Sequence, residues 1–356
     1  MKLPTFSRDD TNAIKGIAIL AMVLHHLYPG SNCECPVYRL ENVDVLTILA
    51  ASGKVCVALF TILSGCGLSV RYRELEHGAG NSFLRGVSFS ISHYVQLLSV
   101  FWAIALWKLL FVWIHGVAVS SVFGHGFDGM CNFAIEFLGL GFVFQRPPIL
   151  GDWFFSAIAM YYLFFPALYF LVKRLRMWLV GLAYAPWVYY LAVKFQSPDT
   201  VVRTDNCVFY LVAFLVGIYF AQTRWPDRLK CCGLRKSGPV AILCFAVAFA
   251  LRMVITLPAD LLLAITLIPM GVLMVPRIGA VLRLLQTLGA HSADIWLLHV
   301  FVAQHIVVQG GDRGFGAYFT AVIFFSMGIS AVIGMLKRGL GYADCVSRIR
   351  SLIQRG

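Results

Sequence analysis

The chain has 356 residues, of which 60% are hydrophobic and 13% are charged, and its mean hydropathy is +0.79. Soluble globular domains carry about 25% charged residues, so this composition excludes a soluble protein and predicts an all-α, polytopic membrane protein. The net charge of +12 would suggest a nucleic-acid partner only in a soluble chain. Here we expect membrane lipids and no nucleic acid.

Ten apolar runs are long enough, or nearly long enough, to span a bilayer as helices. They lie at residues 14–28, 45–70, 87–114, 153–172, 178–195, 207–221, 239–257, 261–275, 292–309 and 317–336. No small-residue cleavage site follows the first run, so we expect it to be retained rather than removed as a signal peptide. The sequence therefore predicts one integral-membrane domain over 1–356, which ends in a basic cytoplasmic tail at 337–356.

The distribution of basic residues predicts the topology. If the N-terminus is cytoplasmic, most of the 29 lysines and arginines fall in cytoplasmic segments. The external segments then hold only Arg39, Arg146, Lys194, Arg203 and Arg313. This asymmetry follows the positive-inside rule, and it requires an even number of spans with both termini in the cytoplasm.

The first apolar run contains ionisable residues that a membrane helix normally lacks. Lys15 and His26 are eleven positions apart, so they share one helical face with a rise of about 16 Å between them. Each such group costs about 2.5–3.5 kcal/mol inside a bilayer and usually faces a protein interior or a watery cavity. The pattern predicts one wall of a reaction chamber, with a charge at its inner mouth and a possible base, His26, deeper inside. His25 lies about a quarter-turn away.

Three more basic residues, Lys54, Lys108 and Arg252, fall within the apolar runs. Lys108 lies near the outer end of the third run and is expected to snorkel to the interface. Lys54 and Arg252 lie deeper, and two interpretations stay open for them. Each is either a buried partner of a carboxylate or carbonyl, or a residue that faces the cavity.

The long external segment 116–152 is too short and glycine-broken for another span, so we expect a re-entrant or interfacial segment. Most of the ten cysteines lie in or beside apolar runs. Of the external cysteines, Cys131 has a possible link to Cys33 or Cys35 in an oxidising compartment. No set of cysteines and histidines has the spacing of a metal site, and none is predicted.

Four separated stretches carry a family resemblance. They are Lys15-Gly16-Ile17-Ala18 with His26 eleven residues after the lysine, Phe60 to Gly65 (FTILSG), Trp153 to Pro166 (WFFSA, then Tyr161 and Tyr162), and Leu288 to His299 (LGAHSADIWLLH). Each stretch alone is weak, but together and in this order they resemble the acyltransferase 3 family. These are multi-pass membrane enzymes that modify bacterial cell-surface glycans.

The resemblance implies an O-acyltransferase of the bacterial inner (cytoplasmic) membrane. The acyl group, commonly acetyl, would come from cytosolic acyl-CoA, with acetyl-CoA as the donor substrate. The acceptor would be a hydroxyl of a cell-surface or lipid-linked glycan. The alternative is a secondary transporter or flippase for a glycan or lipid intermediate. Inverted internal repeats would favour that alternative, and the two halves of the sequence share no obvious polar spacing.

Acyl transfer to an alcohol needs a base for the hydroxyl proton and a group that stabilises the developing oxyanion. His26 is the predicted base, with His25 as its rival. Ser292 and His299, seven residues apart on one side of a helix, are predicted to orient the donor or stabilise the oxyanion, with interhelical hydrogen bonding as the alternative. A covalent acyl-enzyme on Ser64, Cys66 or Ser292 stays open, but direct transfer is the simpler hypothesis.

Donor and acceptor contacts complete the prediction. Lys15, Arg71, Arg73 and Arg85 are predicted to bind the phosphates of acyl-CoA, although the positive-inside rule alone also explains them. Members of the family often have paired arginines before the third helix, whereas Arg85 stands alone here. The predicted substrate-binding residues are His25, Lys54, Trp153, Tyr161 and Arg252, with packing as the alternative for Trp153 and Tyr161.

Overall fold

The computed structural model describes residues 6–28, 44–76, 82–144, 150, 153–197, 200–273, 279–307 and 314–355. All regular elements in these ranges are helices, which confirms the all-α prediction for the described part of the chain. The first half forms α1 Arg8–Leu27, α2 Val45–Ser52, α3 Val55–Glu76, α4 Ser82–Ile114, α5 Val119–Phe123, α6 Gly126–Phe137, α7 Trp153–Leu163 and α8 Phe165–Leu175.

The second half continues the helical bundle. It forms α9 Met177–Ala183, α10 Ala185–Gln196, α11 Cys207–Thr223, α12 Trp225–Ile255, a 3₁₀ turn at Leu257–Ala259, α13 Asp260–Leu273, α14 Gly279–Ala290, α15 Ser292–His305, α16 Phe315–Gly339 and α17 Tyr342–Arg355.

Among the described residues, four helical segments are long and apolar enough to cross a bilayer: Val45–Leu75, Leu84–Ile114, Gly238–Ile255 and Phe315–Gly339. A fifth is counted if α7 and α8, which are bent by 69° at their junction, form one broken span. The other predicted runs fall on helices that are shorter or less apolar. These segments indicate a multi-pass membrane protein, whereas the number of ten spans and the orientation of the termini stay predictions.

The first three helices are fixed by local polar contacts. A capping box starts α1, in which the Ser7 hydroxyl accepts from the Asp10 amide and the Asp10 carboxylate accepts from the Ser7 amide. After α1, the Tyr28 hydroxyl donates to Asp44, and Asp44 also caps α2 by accepting from the Thr47 amide. The helix then breaks at Gly53 and Lys54 before α3 begins, so a lysine is presented at the break.

The centre of the bundle is the crossing of α3 and α11, which pack along each other. Gly65 of α3 lies against the Phe214 carbonyl, and Gly217 of α11 lies against the Ile62 carbonyl. A side chain at either glycine would collide with the opposite backbone. Small residues at such crossings let two membrane helices approach closely, so van der Waals contact replaces the hydrophobic drive that operates in water.

The predicted basic tail is an ordered element rather than a loose segment. Helix α17 folds back along α4, where the Tyr342 hydroxyl donates to the Ser99 carbonyl at 2.8 Å. More than two turns further on, Arg350 Nε and Gln354 Nε2 each donate to the Ser92 hydroxyl at 3.1 Å. Its cytoplasmic location stays a prediction.

The segment predicted to be external forms two short helices, α5 and α6, instead of a further span. Trp102 of α4 donates to the Phe137 carbonyl at the end of α6 and stacks on the Phe137 ring, which ties the segment to the bundle. Cys131 has a free thiol. Cys33 and Cys35 lie outside the described residues.

Candidate active site

A cavity of about 480 Å³ lies where several helices end together. Its walls come from the C-terminal turn of α1, the start of α3, the C-terminal half of α4, the start of α7 and the C-terminal half of α15. In the predicted topology all of these ends lie on the external side. The cavity therefore opens where the positive-inside pattern puts the outer half of the membrane domain.

The cavity combines ionisable side chains with aromatic walls. The polar lining comprises His25, His26, Lys54, Lys108, Asp205, His299, Gln304 and His305. The aromatic lining comprises Phe60, Trp153, Phe154, Trp296 and Phe301. Concave sites that pair apolar walls with a few converging polar groups are typical of small-molecule binding and catalysis.

Three imidazoles stand in a row at the inner part of this cavity. The ring of His26 lies edge-on to His299, with centroids 5.0 Å apart, and edge-on to His25, with centroids 5.3 Å apart. His26 is exposed to the cavity, whereas His25 and His299 are buried. Of the three rings, His26 is the one best placed to meet a substrate.

Each of the two imidazoles beside His26 uses one ring nitrogen in a hydrogen bond to a backbone carbonyl. His25 Nδ1 lies 2.9 Å from the Ala50 carbonyl, and His299 Nδ1 lies 2.7 Å from the Trp296 carbonyl. A carbonyl only accepts, so each Nδ1 donates its proton, and the neutral ring keeps a lone pair on Nε2. Among the described residues, His299 Nε2 is buried without a hydrogen-bond partner. Neutral His299 therefore presents an acceptor to its surroundings and not the donor that an oxyanion needs.

Lys54 and Asp205 form an ion pair on the cavity wall, with Nζ and Oδ1 3.0 Å apart. Lys54 stands at the break between α2 and α3. Asp205 directly precedes Asn206, which caps α11 by accepting from the Val208 amide. Both charges lie close enough to His26 to act on its imidazole. The interpretations left open for Lys54 both hold, because it is paired with a carboxylate and also lines the cavity.

Arg252 is a buried partner of a carboxylate and of a carbonyl, which is the first of the two interpretations left open for it. Its Nε lies 2.5 Å from Asp260 Oδ1, and its Nη2 donates to the Ala51 carbonyl at 2.8 Å. Both members of this pair are buried, and Arg252 does not belong to the cavity lining. With His25 on Ala50, Arg252 holds the last carbonyls of α2 and thereby fixes the break that presents Lys54.

Snorkelling of Lys108 to the interface stays a prediction, and the structure shows which groups its side chain contacts. Its ammonium donates to the Leu150 carbonyl at 2.9 Å and lies 5.8 Å from the centre of the Phe301 ring, inside the cavity lining. The prediction considered only the depth of Lys108 along its helix. The direction of the side chain is set by α15 and by the segment before α7, which the local sequence does not reveal.

Two predicted site residues lie elsewhere. Ser292 is buried at the start of α15, two turns from His299, and the hydroxyl of Tyr161 donates to the Cys207 carbonyl while its ring stacks on Phe214. Neither residue lines the cavity. Trp153 does line the cavity, where it contacts Phe154.

The predicted donor-binding cations lie at the opposite end of the bundle, outside the cavity lining. Lys15 lies close enough to Arg71 for their charges to repel. Arg73 donates to the Ala221 carbonyl at 3.3 Å, and Arg85 donates to the Leu75 carbonyl at 3.2 Å. Arg71 is exposed. Lys15 and Arg71 thus mark a basic end, about 16 Å along α1 from His26.

Sequence reasoning missed Asp205, Gln304 and His305 in the lining. Asp205 has no local signal because its partner Lys54 is distant in the chain. His305 follows His299 on α15, and its ring lies tilted against Phe301 with 4.5 Å between centroids. A second histidine in an otherwise apolar run was a signal that could have been used.

Comparison with known families identifies the domain. Residues 9–335 match the acyltransferase domain that defines the acyltransferase 3 family. The chain belongs to the acyltransferase 3 family. No curated protein and no solved structure gives a significant match. Membership confirms the predicted family, and it implies a membrane acyltransferase with an acyl donor and an acceptor.

In this acyltransferase the family stretches come together around the cavity. The first stretch ends at His26, the second begins at Phe60, the third begins at Trp153 and the fourth ends at His299, and all four residues line the cavity. Four distant parts of the chain therefore meet at one cavity.

Proposed function

We propose that this acyltransferase transfers an acyl group, acetyl in the simplest case, from cytosolic acyl-CoA to a hydroxyl of a cell-surface or lipid-linked glycan. The reaction takes place in the cavity, at the outer side of a bacterial inner membrane. The observation that carries the proposal is the exposure of His26 into a cavity lined by Trp153, Trp296 and Phe301. Aromatic side chains pack against the apolar faces of a sugar ring, and the His26 imidazole accepts a hydrogen bond from a sugar hydroxyl.

In the proposed reaction, His26 acts as the general base. It takes the proton of the acceptor hydroxyl as the oxygen attacks the thioester carbonyl. The tetrahedral intermediate then collapses, the carbon–sulfur bond breaks, and the protonated His26 returns the proton to the CoA thiolate. The products are the ester and free CoA, so no further reactant is needed.

Lys54 is the proposed stabiliser of the oxyanion. It is a charged donor on the cavity wall near His26, and its ion pair with Asp205 fixes the ammonium in place. A fixed positive group costs no reorganisation when the negative charge develops. His299 instead supports the base, because its buried Nε2 is an acceptor next to the His26 ring.

The acyl-CoA donor is proposed to approach from the basic end. Its phosphates bind at Lys15 and Arg71, and the uncharged pantetheine arm extends between α1 and α3 toward His26. The cavity reaches inward as far as Met22 and Phe60, two turns of α1 beyond Lys15. This arrangement lets the nucleotide stay at the aqueous surface.

The proposal predicts a large loss of transfer in His26→Ala. Purified protein would be supplied with labelled acetyl-CoA and candidate glycans, and label on the acceptor would be counted. Removal of a general base lowers the rate by about 10²–10⁴-fold.

His115→Ala is the matched control, because His115 is exposed at the end of α4 and lies outside the cavity lining. It should transfer at the wild-type rate. Equal transfer by His26→Ala and wild type would remove His26 from the mechanism, and lack of thioester consumption with all acceptors would contradict the enzyme assignment.

A further inference from the structure

Helix α17 is an addition to the family domain. The family match ends at residue 335, whereas α17 covers Tyr342–Arg355. The helix does not extend away from the bundle but packs along α4, where Tyr342, Arg350 and Gln354 hydrogen-bond to Ser99 and Ser92. Ser92 is fully buried, so these contacts seat the polar face of α17 against the membrane domain.

These hydrogen bonds between α17 and α4 place Arg350 beside the basic end of the bundle. Burial lowers the pKa of the Arg350 guanidinium, and the positive charge of Arg71 lowers it further. Arg71 in turn repels Lys15 of α1. The packing agrees, because Tyr72, next to Arg71, lies 5.2 Å from Phe89 between ring centroids, and Phe89 lies 4.0 Å from His93, next to Ser92. Three helices that are distant in sequence thus bring these cations to the same end of the bundle.

Nothing in the described part of the chain neutralises this group. No described carboxylate forms an ion pair with Lys15, Arg71 or Arg350. Arg350 holds Ser92 through Nε only, and the structure gives its two terminal nitrogens no partner among the described residues. Like charges held together without a counter-charge cost free energy, and an anionic ligand with several oxygens would remove that cost.

We propose that α17 supplies Arg350 to the donor site, and that Arg350 binds a phosphate of the acyl-CoA nucleotide together with Lys15 and Arg71. The proposal rests on the proposed function, since it presupposes acyl-CoA as donor. It also accounts for the single Arg85 before α4, because an arginine from the C-terminal helix takes the place of a second arginine there. A planar guanidinium held at Nε keeps its other nitrogens free to bind phosphate oxygens in a fork.

Two donors test the proposal with one reaction. Acetyl-CoA carries nucleotide phosphates, whereas acetyl-pantetheine carries the same thioester without them. Arg350→Ala should raise KM for acetyl-CoA by about ten- to a hundredfold, the value of one or two charge-assisted hydrogen bonds, and leave kcat unchanged. KM for acetyl-pantetheine should not change, which also shows that the variant is folded.

Two variants of α17 serve as controls. Arg348→Ala removes an exposed arginine from the same helix and should behave as wild type with both donors. Arg350→Lys keeps the charge without the fork and should fall between wild type and Arg350→Ala. An unchanged KM for acetyl-CoA in Arg350→Ala, or an equal rise with both donors, would overturn the proposal.

A lipid headgroup is the other source of a phosphate for Arg350. The lipid composition of the bilayer is therefore varied to distinguish it from acyl-CoA. In nanodiscs of phosphatidylcholine alone, the effect of Arg350→Ala on acetyl-CoA should persist; its disappearance there would assign Arg350 to anionic lipid.

If wild type transfers no acetyl group from either donor, the proposed function fails. Titration of CoA into wild type and Arg350→Ala then still tests the binding site, since equal Kd values would refute it.

Discussion

Arg252 and Asp260 show what a single buried charge pair does in this membrane domain. Their side chains are 4% and 1% exposed, and the pair joins the end of α12 to the start of α13. Arg252 also binds the Ala51 carbonyl, so the pair supports the break in front of α3. The low exposure of both partners means that neither charge can turn to water if the other is removed.

Removal of the carboxylate alone should therefore be costly. Asp260→Ala leaves a buried guanidinium without its counter-charge and should lower the free energy of unfolding by about 3–5 kcal/mol. Equilibrium unfolding in mixed detergent micelles measures the change. The double variant Arg252→Met with Asp260→Ala should recover part of the loss, because it removes the orphaned charge. Equal stability of single and double variants would mean that the pair is not coupled.

The residues of the site differ in how far sequence could predict them. Lys15 and His26 share one helix, so helical spacing and the family pattern were sufficient to relate them. The ion pair of Lys54 and Asp205 joins segments that are distant in the chain, and local sequence carries no signal for it. The contacts of Lys108 also come from other elements, so its position along α4 does not predict them.

At the scale of helices, the family stretches owe their glycines to close crossings. Gly16 of α1 lies against the Leu285 backbone of α14, and Gly289 of α14 lies against the Asn12 backbone of α1. Gly65 does the same between α3 and α11. The apolar runs predicted α1, α3 and α11, but α14 falls between two of the predicted runs. The sequence could not predict which helix each glycine would meet, because the partner is chosen by tertiary packing.

Gly65 and Gly67 of α3 offer a matched pair for testing this role. A methyl group at Gly65 collides with the Phe214 carbonyl, whereas one at Gly67 meets no described atom within 4 Å. Gly65→Ala should lower the midpoint of thermal unfolding in detergent markedly. Gly67→Ala should leave it unchanged or raise it, since alanine favours a helix over glycine by about 1 kcal/mol. Similar midpoints for the two variants would contradict the assigned crossing.

For the whole molecule, the cavity and the basic end define two opposite sides. His26, Lys54, Lys108 and Trp153 meet at one side, while Lys15 and Arg71 lie at the other. The predicted topology assigns the first side to the exterior and the second to the cytoplasm. The number of membrane crossings is harder to predict from the sequence than this division into two sides, because several helices are short, bent or broken.

Cysteine labelling of intact cells measures this orientation. In a background without native cysteines, Asp128→Cys in α6 should react with a membrane-impermeant maleimide, whereas Arg348→Cys in α17 should react only after the membrane is opened. Both positions are exposed, so access depends on the side of the membrane and not on burial. Labelling of Arg348→Cys in intact cells would reverse the orientation.

The separation of Lys15 from His26 along α1 determines, in the proposed reaction, which part of the acyl donor enters the membrane. A coenzyme anchored by its charged portion at one surface needs only a slender, uncharged chain to deliver its cargo about 16 Å away. In the proposed reaction the nucleotide does not cross the hydrocarbon layer, and spent coenzyme returns directly to the compartment where it is recharged. Decoration of extracellular sugars in this way requires no carrier that exports an activated metabolite.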